Sequence, residues 1–276
     1  MVYIHPPLPA PLLTAYLLPS FPADQLEPFK RAFELGTHAP FAPMLELILK
    51  HAPASYEGQS HEYMRRQENE AGREEPFIVI DEQGAGGRDG IVWYVGSFAT
   101  ELDVTEAELA TSTDVLWKIP VKTDCLPLMH INYELGNMGI EEDLGHLGVE
   151  FPVAPGYVIR GVENCAGIDI MEERSREEQA FIALPGEYEV STDRTLLETL
   201  VPVPEKVGRL KEGLAEGLGL INRWTAISDD SGLITTRMPD GSEKTFPEGS
   251  VRMISRINIE FDWPPYQWPE GSLYPR

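Results

Sequence analysis

Phe77-Ile-Val-Ile80, followed after a glycine-rich stretch by Ile91-Val-Trp-Tyr-Val95, is the part of the sequence that decides the fold prediction. Both runs are rich in β-branched and aromatic residues, which favour β-strands, and glycines bound them. Two such runs close together in the chain predict an antiparallel hairpin, here across Gly84 to Gly90.

Outward from this hairpin, the first half of the chain alternates strands with helices. Leu12 to Leu18 predicts a first strand. Pro28 suits the first turn of a helix, which Gly36 then ends. Val115 to Ile119 predicts a further strand. The first half is therefore predicted to be an α/β domain with a mixed sheet.

The second half has the pattern of an antiparallel, β-rich fold. Short apolar runs separated by turn residues predict its strands; they are Tyr157–Arg160, Gly167–Ile170, Ala180–Leu184, Leu233–Met238, Lys244–Phe246 and Val251–Phe261, with turns at Asp229–Gly232 and Pro239–Ser242. Lys206 to Leu220 predicts one amphipathic helix, because its apolar residues Val207, Leu210, Leu214 and Leu218 fall on one stripe. The predicted organisation is a proline-rich arm (1–11), an α/β domain (12–150), a β-rich domain with helix 206–220 (151–262), and an aromatic, proline-containing tail (263–276).

Composition and charge restrict the classes of partner. The chain has 276 residues, and 42% of them are hydrophobic, enough to bury a core without disulfides or metals. It carries 45 acidic against 22 basic residues, a formal charge of -23, which repels a phosphate backbone. Nucleic acid is therefore not predicted as a partner, whereas a basic protein is compatible with this charge.

Cysteine spacing and the apolar runs indicate the compartment. Cys125 and Cys165 show no metal-site or disulfide-framework spacing, so free thiols in a reducing compartment are predicted. Cys125, which follows Lys122, could have a lowered thiol pKa, or it could be buried and inert. No apolar run is long enough for a membrane span, and no basic region precedes Leu12 to Leu18 as in a signal peptide. A cytoplasmic protein without membrane association is predicted.

The stretch from His130 to His146 gathers the residues most suited to chemistry. If Asn137 caps a short helix, Glu142 and His146 lie four residues apart on one face, with His130 on a preceding strand. A carboxylate beside an imidazole raises its proton affinity, so His130, Glu142 and His146 are the predicted acid–base residues. The predicted substrate-binding residues are Asn132, Tyr133, Asn137 and, together with the aromatic tail, Trp224.

Two other interpretations of this stretch stay open. Asn137 and Glu141 could simply cap and charge a helix N-terminus, which Gly145 ends before His146. His130, Glu142 and His146 could alternatively bind a metal as an open site of two imidazoles and a carboxylate. Their spacing fixes no coordination geometry, so neither a metal nor a cofactor is predicted.

Residues 12 to about 148 resemble an uncharacterised α/β family found in bacteria and fungi. The segments that match are Leu12–Leu35, Phe77–Asp81, Ile91–Val95, Val115–Ile119 and the closing Tyr133-Glu-Leu-Gly-Asn-Met-Gly-Ile-Glu-Glu-Asp-Leu144. The closing segment is similar to the family's Asn-Leu-Ser-x-x-Asn-Met-Asp-Phe-Glu-Glu-Phe-like turn, from which Gly136 and Gly139 depart. The resemblance implies the fold and no particular activity.

Gly167 to Val190 is similar to the closing strands of ADP-ribosyltransferases. In those enzymes a glutamate just before the apolar strand polarises the nicotinamide ribose. Ala180 occupies the aligned position here, so Glu177 or Glu178 would serve only with a shifted register. Arg160 resembles that family's first-strand arginine, although it lies too close in sequence to be its counterpart.

These observations predict a cofactor-independent enzyme or binder that acts on a small organic molecule by acid–base chemistry, in a groove between the two halves. The alternative is a non-enzymatic module whose acidic surface docks a basic protein. In that case, mutation of His130 or Glu142 changes stability and leaves partner affinity intact. An ADP-ribosyltransferase-like fold is the third reading.

Overall fold

The computed structural model describes residues 1–6, 9–81, 90–228, 232–238 and 240–273. Most of the predicted turn at Gly84–Gly90 therefore lies outside the described residues, as do residues 229–231 and 239 of the two other predicted turns. The chain forms two compact units. The larger unit comprises Pro9–Ile170 and Pro265–Arg276, and the smaller unit comprises Met1–Leu8 and Met171–Pro264. The change of unit falls at residue 170, whereas the sequence placed it near 150.

Helices and strands alternate along the first 146 residues. They are β1 (Tyr3–Ile4), β2 (Leu12–Leu17), α1 (Leu26–Gly36), β3 (Glu46–His51), α2 (His61–Glu70), β4 (Phe77–Ile80), β5 (Ile91–Phe98), α3 (Glu101–Thr105), β6 (Leu116–Lys122), α4 (Leu126–Glu134) and α5 (Ile140–His146). Single 3-10 turns occur at Ala23–Gln25 and Ala54–Tyr56.

Short strands predominate in the rest of the chain. The elements are α6 (Ile170–Ser175), β7 (Glu178–Ala183), β8 (Tyr188–Ser191), α7 (Arg194–Leu197), β9 (Val207–Leu210), α8 (Leu214–Gly217), β10 (Thr225–Ala226), β11 (Thr235–Arg237), β12 (Glu243–Thr245) and β13 (Val251–Arg256).

A five-stranded mixed sheet forms the centre of the larger unit, in the order β3-β2-β4-β5-β6. Strands β3, β2 and β4 are parallel, whereas β5 and β6 pair antiparallel. The predicted pairing of the two apolar runs is confirmed, since Phe77 lies opposite Val95 and Ile78 opposite Tyr94. The predicted α/β class with a mixed sheet is also confirmed.

Strand β4 shows why this sheet is covered on both faces. Its four side chains are all buried: Ile78 and Ile80 belong to one apolar cluster, and Phe77 and Val79 belong to another. Alternate side chains of a strand point to opposite faces, so a continuous apolar run needs cover on each side. Helices α1, α4 and α5 contribute side chains to the first cluster, and α2 contributes Met64 to the second.

The segment after α5 covers β6, the edge strand of the sheet. Val153 bridges to Ala110, and Glu163 bridges to Val121 in β6. The Tyr157 hydroxyl accepts a hydrogen bond from the Lys118 backbone N–H at 3.3 Å and shares its single proton between the Leu116 and Lys118 carbonyls, each at 3.1 Å. An uncovered edge is open to pairing with other chains, so this segment protects the sheet.

Antiparallel strands build the smaller unit, as the sequence predicted. Its sheets have the strand orders β1-β7-β13, β10-β9-β8 and β11-β12. The predicted helix from Lys206 to Leu220 is wrong, since these residues form β9, a turn and the four-residue α8. Gly213 and Gly219 adopt positive φ angles of 79° and 68°, which end a helix. Gly208 packs in β9 where a Cβ would lie 2.7 Å from the Met253 sulfur.

Three further sequence assignments are corrected. Tyr157–Arg160 and Gly167–Ile170 are not strands, and Ile170 instead begins α6. The predicted strand that carries His130 is helix α4, because Pro127 lies in the first turn, where its missing N–H leaves no helical bond broken.

The aromatic tail packs as a strap on the larger unit. Trp268 is buried against Phe33, with ring centroids 5.5 Å apart, and its indole N–H donates to Glu34 at 3.0 Å. The Leu273 N–H donates to the Leu49 carbonyl at 2.8 Å. Across the described residues, every helix falls short of the length and apolar character needed to traverse a lipid bilayer.

Candidate acid–base site

His130 lies inside the larger unit and is 2% exposed. Its Nδ1 is 3.2 Å from the Tyr94 hydroxyl, and the two ring centroids are 6.0 Å apart. Burial lowers the pKa of His130 to about 4, against which the Glu75 carboxylate acts only in part. The imidazole is therefore neutral near pH 7. This buried position does not suit a residue that exchanges protons with a substrate or solvent. The prediction that His130 is an acid–base residue is therefore wrong, and His130 is a core residue.

Glu142 and Asn137 stabilise the local backbone. Gly139, not Asn137, is the N-cap of α5, and its N–H donates to Glu142 Oε2 at 3.3 Å. The Asn137 side-chain amide instead donates to Asn132 Oδ1 at 3.5 Å. Glu142 therefore serves the start of α5, where a carboxylate also complements the helix dipole.

The carboxylate that accompanies His146 belongs to Asp143. Asp143 is 4% exposed, and its Oδ1 lies 3.7 Å from His146 Nδ1. Its Oδ2 accepts a 2.6 Å hydrogen bond from the Tyr133 hydroxyl. Burial and this hydrogen bond raise the pKa of Tyr133, so the phenol stays a neutral donor. The three residues form a buried-to-exposed series that ends at His146, whose side chain is 69% exposed.

In this series the Asp143 carboxylate and the His146 imidazole are neighbours, but no hydrogen bond joins them in the structure. A carboxylate beside Nδ1 of an imidazole holds the ring so that Nε2 is available to a reacting group. The 3.7 Å separation exceeds a hydrogen bond but lies within ion-pair range, and such contacts often tighten when substrate binds. Sequence reasoning missed Asp143, although its position three residues before His146 places both on one helix face.

A groove of about 490 Å³ is lined by residues between 147 and 160, and His146 is not among its lining residues. It suits a small organic molecule in volume. Its exposed wall is more polar than apolar, and two charged residues, Glu150 and Arg160, line it together with several apolar side chains. Its lining residues are Leu147, Gly148, Val149, Glu150, Pro152, Val153, Ala154, Tyr157, Val158 and Arg160.

A second cluster of ionisable groups stabilises the other face of the sheet. The buried Glu68 carboxylate accepts hydrogen bonds from Tyr16 at 3.0 Å, from Tyr56, and from the Arg73 guanidinium at 2.5 and 2.8 Å. Burial opposes ionisation of Glu68, but the hydrogen bonds from Arg73, Tyr56 and Tyr16 outweigh it and lower its pKa. Its acceptor positions are taken up by these three residues, which marks a structural role.

Trp224 belongs to the smaller unit, unlike the other predicted site residues. The Arg209 guanidinium lies over its ring, 4.7 Å from the centroid. The tail residue Trp268 is buried in the core of the larger unit. Trp224 therefore has a local partner within its own unit.

The metal reading of His130, Glu142 and His146 does not fit their positions, because His130 contacts Tyr94 in the core and Glu142 caps α5. Within the part of the chain that the structure describes, no group of three His, Cys, Asp or Glu residues could hold a metal ion. A lowered pKa of the Cys125 thiol was one of the two possibilities that the sequence left open. The structure indicates the opposite, because the neighbouring Cys165 thiol and burial raise the pKa of Cys125.

The glutamates singled out by the ADP-ribosyltransferase resemblance lie at the start of β7. Glu178 is its first residue and forms an ion pair with Arg223 at 2.5 Å, and Glu177 directly precedes it. The preceding segment is helix α6 rather than a strand.

Comparisons of the chain with protein-family models, curated proteins and solved structures gave no match. Inference about function therefore depends on the geometry of the chain's own residues.

Proposed function

We propose that this protein is a cofactor-independent enzyme that acts on a small organic molecule by acid–base chemistry at His146. The observation that carries the proposal is the series Tyr133–Asp143–His146, in which a buried carboxylate lies beside an exposed imidazole. Histidine side chains commonly serve as general acids and bases, so an exposed histidine beside a carboxylate can accept a proton and then donate it. Compared with the sequence prediction, the proposal keeps His146 and Tyr133 and replaces His130 and Glu142 by Asp143.

The groove lined by residues between 147 and 160, which follow His146 in the sequence, supports a substrate with an apolar part and an anionic group. Leu147, Val149 and Val153 offer apolar contact, and Arg160 offers a guanidinium that pairs with a carboxylate. Glu150 adds a negative charge to the same wall, which disfavours a substrate that carries several negative charges. A small aromatic or aliphatic monocarboxylate is the class that fits best.

Binding is tested with benzoate as the probe, by recording amide and histidine-ring NMR shifts of the whole chain. We expect shifts at residues 147–160 and at His146, and about tenfold weaker binding in Arg160→Gln, the loss expected for one charge-assisted contact. The matched control is Arg194→Gln, because Arg194 is an exposed arginine in the smaller unit. Shifts confined to other residues, or equal affinity in both variants, would contradict the groove.

Catalysis is tested by incubating a metabolite extract with the wild-type protein and with His146→Gln, followed by mass spectrometry. We expect one small carboxylate to be consumed by the wild type only, and its turnover to fall at least about tenfold in Asp143→Asn. Identical extracts after both incubations would reject enzymatic activity at His146.

Docking of a basic protein is the second candidate, supported by the net charge of -23. A basic probe such as poly-lysine separates the two functions. If docking is the function, poly-lysine binds with strong salt dependence, and His146→Gln and Arg160→Gln leave its affinity unchanged.

A further inference from the structure

Cys125 and Cys165 lie 40 residues apart in sequence, yet they meet in the larger unit. The Cys165 Sγ is 3.9 Å from the Cys125 carbonyl oxygen, and the Cys165 thiol is close enough to raise the pKa of Cys125. These are the two cysteines of the 276-residue sequence.

The Cys125 side of the contact is held firmly. Cys125 directly precedes α4, is 2% exposed, and its N–H donates to the Lys122 carbonyl at 2.9 Å. The preceding residue, Asp124, is packed against Gly36 so closely that a Cβ on Gly36 would lie 2.0 Å from the Asp124 carbonyl oxygen.

The Cys165 side is held by the edge of the sheet. Glu163 exchanges two backbone hydrogen bonds with β6, one to the Pro120 carbonyl and one from the Lys122 N–H, both 2.8 Å. The Glu163 carboxylate accepts a hydrogen bond from the Cys165 N–H at 2.7 Å. Cys165 itself has a φ of 47°, an uncommon angle for a residue with a side chain. These bonds hold its thiol beside Cys125.

We propose that Cys125 and Cys165 are a redox modification site that forms a reversible intramolecular disulfide on exposure to a peroxide. Cys165 reacts first because it is partly exposed, whereas Cys125 is buried. The raised pKa of Cys125 disfavours its thiolate, which slows its direct attack on peroxide and also slows its later attack on Cys165.

The reaction balances with hydrogen peroxide as the oxidant. The Cys165 sulfur attacks one peroxide oxygen, the O–O bond breaks, and the sulfenic acid and one water result. The Cys125 sulfur then attacks the Cys165 sulfur; an S–S bond forms, the S–O bond breaks, and hydroxide leaves with the Cys125 proton as a second water. Two thiols are oxidised by two electrons, and the peroxide is reduced. A dithiol reductant reverses the modification.

The test treats the folded 276-residue chain with hydrogen peroxide, blocks the remaining thiols by alkylation, and maps peptides without reduction. We expect a cross-linked peptide pair containing Cys125 and Cys165, no disulfide between chains, and recovery of both thiols with dithiothreitol. Accumulation of sulfinic acid on the wild-type Cys165, or disulfides between chains alone, would overturn the proposal.

Two variants assign the roles. In Cys125→Ala, Cys165 should accumulate as a sulfenic acid that dimedone traps, because its resolving partner is gone. In Cys165→Ser, Cys125 should resist the same peroxide treatment. Equal dimedone labelling of the wild type and Cys125→Ala would reject Cys125 as the resolving thiol. The wild-type peptide map decides the main proposal even if a variant fails to fold.

Discussion

Buried ionisable side chains set the response of the larger unit to pH. His130 has a pKa of about 4 in the folded chain, compared with an ordinary value of 6.5. Below pH 6.5 the unfolded chain therefore takes up a proton that the folded chain does not. This difference removes about 3 kcal/mol of stability as the pH falls from 6.5 to 4.

His130→Asn tests this assignment, since asparagine keeps a hydrogen-bonding partner for Tyr94. Between pH 7 and pH 4, we expect the free energy of unfolding to fall by about 3 kcal/mol less in the variant than in the wild type. Urea unfolding at each pH measures this difference. His61, whose pKa burial also lowers to about 4, is present in both proteins and cancels. The exposed His51→Asn is the control. Parallel pH curves for wild type and His130→Asn would show that His130 takes no part.

Glu68 is the second residue whose charge the fold depends on. Glu68→Gln removes the carboxylate that accepts from Tyr16, Tyr56 and Arg73, and we expect a loss of about 3 kcal/mol at pH 7. Arg73 is 55% exposed and keeps part of its hydration. The loss of stability should therefore lie at the lower end of the range seen when one partner of a buried ion pair is removed. Denaturant unfolding measures it. Glu70→Gln on the exposed face of α2 should change stability little, and an equal loss in both variants would refute the role of Glu68.

At the level of secondary-structure elements, α1 can approach Asp124 closely because Gly36 has no side chain. Because a Cβ at Gly36 would lie 2.0 Å from the Asp124 carbonyl oxygen, alanine there must push two backbones apart. We expect Gly36→Ala to destabilise the chain by about 3 kcal/mol or more in thermal unfolding.

Gly145 in α5 provides the matched control for that substitution. Its nearest neighbour for a Cβ is the Phe151 ring at 3.8 Å, an ordinary contact, and alanine favours a helix. Gly145→Ala should therefore be neutral or stabilising by up to about 1 kcal/mol. A loss as large as that of Gly36→Ala would mean that close packing is not the cause.

At the scale of the whole molecule, the net charge of -23 opposes compaction. We expect about 200 mM NaCl to raise the free energy of unfolding at pH 7 by roughly 1 kcal/mol, because salt screens repulsion between exposed carboxylates. Near pH 4.6, where the sequence predicts no net charge, the same salt should have little effect. Equal salt effects at both pH values would exclude charge repulsion as the cause.

The amino-acid sequence predicted strands β2, β4, β5 and β6 of the larger unit and the antiparallel character of the smaller one, but it did not predict β3. Strand β4 could be predicted because a run that is buried on both faces must be apolar throughout. The prolines of the aromatic tail prevent it from extending a sheet, whereas its packing against Phe33 and Glu34 is seen only in the structure.

The residues that meet at the candidate site could not be predicted from the amino-acid sequence. His130 and Glu142 are chemically suitable residues. However, His130 is buried in the core beside Tyr94, and Glu142 caps the start of α5. The series Tyr133–Asp143–His146 and the contact of Cys125 with Cys165 join residues whose approach depends on packing. Residues 206–220 form a strand and turns instead of the predicted helix. The spacing of apolar residues does not show where glycines adopt positive φ angles or pack closely against neighbours. Local patterns fix which face of an element is apolar, whereas packing fixes which polar groups meet.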